Sequence, residues 1–153
     1  KSPEFGHLGI VDNDEVIFYR DIISRKHIET ESIETKVGLI KCCPGMESDV
    51  LDFYIDNDYK GIVIEALGRG NIPPAMVEGV KKAIDRGIPI VVVSRCPTGR
   101  VLDTYGYEGG GKHLRSLGVI FGNNLPGQKA RIKLMLALSI TKDFQTIREL
   151  FEN

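Results

Sequence analysis

Side chains able to do chemistry gather in three stretches of this 153-residue sequence, two of them rich in glycine. The first is Gly68-Arg69-Gly70-Asn71-Ile72-Pro73. Glycines there would let backbone N–H groups approach an anion. The dinucleotide spacing Gly-x-Gly-x-x-Gly is nevertheless incomplete, because Pro73 stands where its third glycine belongs. Asn71 is left with two readings: an amide offered to a small polar ligand, or a cap on the helix that follows. The second stretch, Ser94-Arg95-Cys96-Pro97-Thr98-Gly99-Arg100, offers a hydroxyl and a thiol. Either would need a general base, and no histidine lies within the stretch. Cys96 therefore reads as a small packed side chain. The third stretch is Tyr105-Gly106-Tyr107-Glu108-Gly109-Gly110-Gly111-Lys112. Glu108 is suited to act as an acid or to hold an amino group. Three successive glycines are entropically costly and imply either a mobile surface loop or a tightly bent one.

Other chemistries are missing. His7, His27 and His113 are scattered, and an exposed or structural role is the expectation for each. The sequence shows no P-loop, paired-histidine motif or nucleophile elbow. Where a receiver-like fold would carry an acidic pair after its first strand, this chain has Lys41-Cys42-Cys43-Pro44. Its three cysteines are an odd count without metal-ligand spacing, so no metal or cofactor is expected. The formal net charge is −1, with both signs mixed along the chain, which leaves no footprint for nucleic acid or an anionic membrane. No apolar run approaches the roughly 20 residues that span a bilayer, and the opening lacks the apolar core of a secretion signal. Reduced thiols in a cytoplasmic protein are the consistent picture. The absence of an initial Met suggests a start inside a longer protein, and Ser2-Pro3-Glu4-Phe5 resembles a cloning remnant.

Hydrophobic rhythm predicts the elements that would hold these stretches. Leu8–Val11 and Val16–Tyr19 flank Asp12-Asn13-Asp14 and predict a short hairpin. Residues 20–36 are polar and read as a surface connection that Ile28 and Ile33 could anchor. From Val37 onward strand and helix alternate. Strands are expected at 37–40, 61–67, 88–93 and 118–122. A helix from about Asp49 to Asn57, capped by Ser48, should bury Val50, Leu51, Tyr54 and Ile55. Pro74 suits the first turn of the next helix, and Gly87 its end. Pro126-Gly127 opens another helix, and Asp143 should cap a last one containing Ile147, Leu150 and Phe151.

Such alternation implies a parallel sheet of about four strands in a three-layer α/β/α domain, with helices on both faces and the hairpin preceding it. The expected division is 1–36 for hairpin and connection and 37–153 for the α/β domain. Ligands of open parallel sheets bind at the carboxyl ends of the strands. The loops there are Cys42–Glu47, Gly68–Pro73, Ser94–Gly111 and Gly122–Gly127, so the chemistry-bearing stretches share one edge. The residues alone establish a surface for a small polar ligand, without a complete catalytic set.

In order and approximate spacing, four segments resemble the C-terminal domain of bacterial and archaeal L-asparaginases of the cytosolic type. They are Gly61–Pro73, Val93–Gly99, Tyr107–Gly111 and Gly127–Ile132. The resemblance implies hydrolysis of L-asparagine to L-aspartate and ammonia by a homo-oligomer, a dimer or tetramer. It also implies that the attacking threonines lie in Thr-Gly-Gly-Thr and Gly-Thr-Asp-Thr segments of an N-terminal domain. Neither segment occurs in this sequence. No catalytic residue is therefore assigned here, and the isolated chain is expected to be inactive. In the family, this domain completes the active site of a neighbouring subunit. Asn71 matches the contact its Gly-Asn loop makes there, and Glu108 stands where a glutamate can approach the substrate amino group. Two other readings are a non-catalytic binding or regulatory module, in which Cys96 could serve an effector site, and the asparaginase-like subunit of the archaeal amidotransferase acting on Glu-tRNA(Gln).

Overall fold

The structure is a computed structural model that describes residues 6–21 and 27–152. Strands β1 (Gly9–Asp12) and β2 (Glu15–Phe18) form an antiparallel hairpin. Asn13 and Asp14 both take positive φ, 44° and 69°, the left-handed pair that a two-residue type I′ turn demands. Ser2–Phe5 lies outside the described residues.

Strands β3 (Val37–Lys41), β4 (Gly61–Ala66), β5 (Ile90–Ser94) and β6 (Ile120–Phe121) form a separate, wholly parallel sheet in the order β3-β4-β5-β6. The expected three-layer arrangement is present. Its layering follows from that order. Each right-handed crossover steps the same way, so the connecting helices α1 (Asp49–Asp56), α2 (Val77–Asp85) and α3 (Gly111–Ser116) share one face. They enclose Leu51, Met76, Val80 and Leu114 against Ile40, Ile62, Ile64, Val92 and Phe121. Helices α4 (Gly127–Ile140) and α5 (Phe144–Glu152) return across the other face. There Leu134, Ala137, Ile147 and Phe151 pack on Val37, Val63, Val91 and Ile120. Alternate residues of each strand thus feed opposite cores, which explains why the strands are apolar almost throughout.

Several expectations need correction. Ser48 precedes α1, but its hydroxyl donates to Asp52 Oδ2 at 3.1 Å and caps no backbone N–H. Val50 is exposed, because it sits on the flank of the turn that buries Leu51. Ile33 is exposed and only half-buried Ile28 can anchor the connection. Polar and backbone ties do that work instead: Glu34 N–H donates to Met135 O (3.2 Å), and Thr30 and Ser139 hydroxyls meet at 2.8 Å. Helix α3 has no counterpart among the expected elements; at six residues, starting on glycine, it has too few turns to show a period.

Asp143 does cap α5: Oδ2 accepts from Thr146 N–H and from Thr146 Oγ1–H, both at 2.7 Å. The hydroxyl bond first, and the backbone bond second, hold the carboxyl below its ordinary 3.8. A depressed folded value means the cap's contribution is whole above 3.8 and fades as pH falls through the lower value. In urea titrations, Asp143→Ala should therefore destabilise the chain at pH 7 and cost progressively less below pH 3.8. An unchanged penalty at low pH would contradict the capping role.

Candidate functional site at the carboxyl edge of the sheet

A sheet whose strand order never reverses has no switch-point crevice of its own. What the carboxyl edge has instead is a set of loops fastened to one another. Leu67 and Asn71 exchange backbone bonds, Leu67 N–H to Asn71 O at 2.8 Å and Asn71 N–H to Leu67 O at 3.0 Å, closing the Gly-rich loop. Gly70 within it has φ 109°, a conformation that strains any residue with a Cβ, and lies close against Val101. The Ser94 hydroxyl donates to Gly68 O (2.6 Å), and Leu102 N–H donates to Arg69 O (2.9 Å). Val101 N–H reaches Asn123 O (3.2 Å), and Arg95 Nη1 reaches Cys42 O (3.1 Å). All four edge loops are thereby joined.

The triple glycine is tightly bent and buried, not a mobile surface loop. Gly110 N–H bonds Tyr107 O at 2.8 Å, and Gly109 has φ 82°. That combination is a type II turn with its obligatory glycine third. A Cβ on Gly109, Gly110 or Gly111 would collide with the carbonyl oxygen of Ile72, Tyr105 or Leu102 respectively. Three glycines occur in a row because three backbones pass within touching distance. Gly109 N–H also donates to His113 Nδ1 (3.2 Å), so His113 fastens the loop.

These ties bring the two expected ligand residues together. Ile72 N–H donates to Gly109 O at 2.9 Å, so Asn71 and Glu108 each sit one residue from the same hydrogen bond. Glu108 is exposed at the turn's corner. Asn71 is half-buried and does not cap a helix. The chain instead makes one short helical turn, Pro74–Met76, with Pro73 at its cap, before α2 begins. Asn71 Oδ1 is buried without any hydrogen-bond partner. An unsatisfied buried carbonyl costs about 1–3 kcal/mol and requires an explanation.

Elsewhere at this edge the Glu65 carboxyl fills the space beside Gly127 at the start of α4, where the helix dipole favours an anion. Its nearest cation, Lys41 Nζ, is 3.9 Å away. Cys42 is fully buried against Met76, Sγ to Sδ 3.7 Å. Burial first, and neighbouring Cys43 second, push its thiol up to about 11 against the pull of Arg95. Cys43 and Cys96 are exposed, so Cys96 is not the packed side chain expected of it. No group of three or more His, Cys, Asp or Glu capable of holding a metal ion occurs among the described residues, and no helix there is long and apolar enough to cross a membrane.

Hollows lined by described residues lie elsewhere. One of about 370 Å³ opens at the amino ends of the strands between Tyr59 and Leu138, and one of about 780 Å³ lies along α4 beside Asn123. Neither includes Asn71 or Glu108. Loop fastening through Ser94, Val101 and His113 has no counterpart in the sequence reading. The one signal for it is the Gly-Gly-Gly run itself, whose burial only the fold reveals.

Residues 36–151 match the family described as the glutaminase/asparaginase C-terminal domain. An L-asparaginase from Bacillus licheniformis is 33% identical over 139 residues, covering 91% of this chain and 43% of that protein. A glutamyl-tRNA(Gln) amidotransferase subunit from Methanopyrus kandleri is 41% identical over 118 residues, covering 76% of this chain and 25% of that protein. The corresponding protein from Pyrococcus abyssi is 36% identical over 143 residues, covering 90% of this chain and 32% of its own length. The chain thus spans less than half the length of each of these relatives. With a family match over most of its residues and the four-stranded parallel sheet to go with it, the chain belongs to the glutaminase/asparaginase C-terminal domain family.

Proposed function

We propose that this chain is the C-terminal part of an amidohydrolase that converts L-asparagine to L-aspartate and ammonia. In this reading it acts within a cytoplasmic homo-oligomer and contributes to substrate binding without supplying the nucleophile. The observation that carries the reading is the unsatisfied Oδ1 of Asn71, held at an edge where four loops are fastened together. Such an acceptor is left for an N–H donor that the described residues do not supply, such as a substrate ammonium or a catalytic group of an N-terminal domain. Glu108, one turn residue away from the same loop contact, supplies the charge that an ammonium would meet. The hydroxyl of Ser94 is engaged with Gly68 O and holds a loop; it plays no part in attack. The nucleophile then comes from the preceding domain.

Ammonia release from L-asparagine, measured on the chain alone and on the longer protein, tests this. The chain alone should release none, and turnover by it would overturn the proposal. In the longer protein, Asn71→Ala should lower kcat/KM by about 10–100-fold, the loss expected for roughly 1.5–3 kcal/mol of hydrogen bonding to a charged group. Its urea midpoint should stay unchanged, because Asn71 Oδ1 makes no bond that the fold needs.

The amidotransferase relatives, up to 41% identical, favour a second reading as a component of that enzyme. A longer protein silent on L-asparagine by itself, yet releasing ammonia from L-asparagine or L-glutamine once a second subunit and glutamyl-tRNA(Gln) are added, would select it.

A further inference from the structure

The hairpin β1–β2 has an unusual surface. Seven of the fourteen large hydrophobic residues exposed among the described residues lie between Leu8 and Tyr19. Strand pairing sets Ile10 opposite Ile17 on one face, and Val11 opposite Val16 with Phe18 beside them on the other. Val11 is 74% exposed and Phe18 73%. A hairpin lying on a core would alternate apolar and polar; this one is apolar on both sides, the pattern of strands covered on both faces. Among the described residues it pairs with no strand of the four-stranded sheet, and no further strand covers either of its outer edges. Two strands alone are marginally stable in water. Only the tip, Asp12-Asn13-Asp14-Glu15, has the polarity of a wet surface.

We infer that the hairpin Gly9–Phe18 is a docking element whose two apolar faces are covered by the N-terminal domain of the longer protein. This rests on the reading that the chain is the C-terminal part of such a protein. Three observations select that occupant. The family match begins at residue 36, so the hairpin stands outside the C-terminal domain. The Bacillus licheniformis relative has more than half its length outside the matched part, enough for another domain. And a partner seated on one side would leave the other apolar face bare, whereas a domain that incorporates the hairpin into its own layers covers both. The connection from 27 to 36 lies along α4 through Thr30 and Glu34.

Hydrogen exchange read by mass spectrometry on the peptide covering residues 8–19 tests the inference, comparing the longer protein with the 153-residue chain. The peptide should exchange close to the unprotected rate in the chain and at least about 100-fold more slowly in the longer protein. Equal rates in both would overturn the inference. So would protection in the chain alone that rises with its concentration, because a second copy would then be the occupant. A double substitution Val11→Lys and Phe18→Lys in the longer protein should restore fast exchange at 8–19 while strands β3 to β6 keep theirs; retained protection at 8–19 would also overturn it. Exchange is independent of turnover. A protected hairpin in a protein that does not hydrolyse L-asparagine would leave the docking intact and remove the proposed activity.

Discussion

Replacing Gly109 with alanine should cost the chain about 3 kcal/mol, whereas the same change at Gly106 should cost under about 0.5 kcal/mol. Gly109 holds φ at 82°, a conformation that strains any residue with a Cβ by roughly 1–2 kcal/mol. The new methyl would also sit on the carbonyl oxygen of Ile72, and backbone cannot rotate away as a side chain can. Relief requires the loops to part, which breaks the Ile72 N–H to Gly109 O bond and removes about another 1 kcal/mol. At Gly106 the nearest atom to a Cβ is Cδ of Lys112 at 3.9 Å, an ordinary contact. Urea unfolding of the two variants separates these cases. Equal midpoints would mean that the loop yields freely, and the description of it as tightly fastened would be wrong. In the longer protein, Gly109→Ala should also lower turnover, because Asn71 and Glu108 are held together across that bond.

Phe121→Ala should be the most damaging core truncation, at about 3–5 kcal/mol. That approaches the whole stability of many domains, which is about 5–15 kcal/mol. The ring is 2% exposed and carries the guanidinium of Arg115 at 4.3 Å from its centroid. Arg115 in turn pairs with Glu152, whose carboxylate accepts from Phe121 N–H at 3.0 Å. Arg115 and Glu152 therefore tie α3 and α5 to β6 beside the ring, and loss of the ring opens a cavity beneath a short strand on the α1–α3 face. Phe121→Leu refills most of the volume and should recover more than half of the loss in calorimetric or urea measurements. A Phe121→Ala variant as stable as Phe121→Leu would show that α3 collapses into the gap.

Much of this architecture could be read from periodicity. Ile88–Val93 and Gly61–Leu67 are long apolar runs, and such runs demand a sheet covered on both faces. Asp143 and Gly87 behave as local punctuation should, since a cap or a left-handed glycine depends only on its neighbours. Ser48 does not, because Asp52 one turn later competes for the same hydroxyl. The fourth strand shrinks to Ile120–Phe121, as Val119 is taken up in closing α3, its N–H bonded to Leu114 O. At the candidate site, residue types and order are legible, and their contacts are not. Nothing in the spacing of residues 67 to 111 says that Ile72 meets Gly109, or that three glycines press against three carbonyls. Those facts belong to long-range packing, which a local pattern does not encode.

The fastenings between the edge loops have an evolutionary consequence. Leu67 to Asn71, Ile72 to Gly109, Leu102 to Arg69 and Val101 to Asn123 are all joined main chain to main chain. Where peptide groups hold the frame it is indifferent to the side chains it carries, provided the glycines and the tying side chains Ser94, Arg95 and His113 remain. Arg69, Thr98, Arg100 and Glu108 are all exposed on this frame. They can drift, one replacement at a time, without a folding penalty. A lineage keeping the same skeleton could thus retune what this edge meets by exchanging ornaments and leaving the joinery alone.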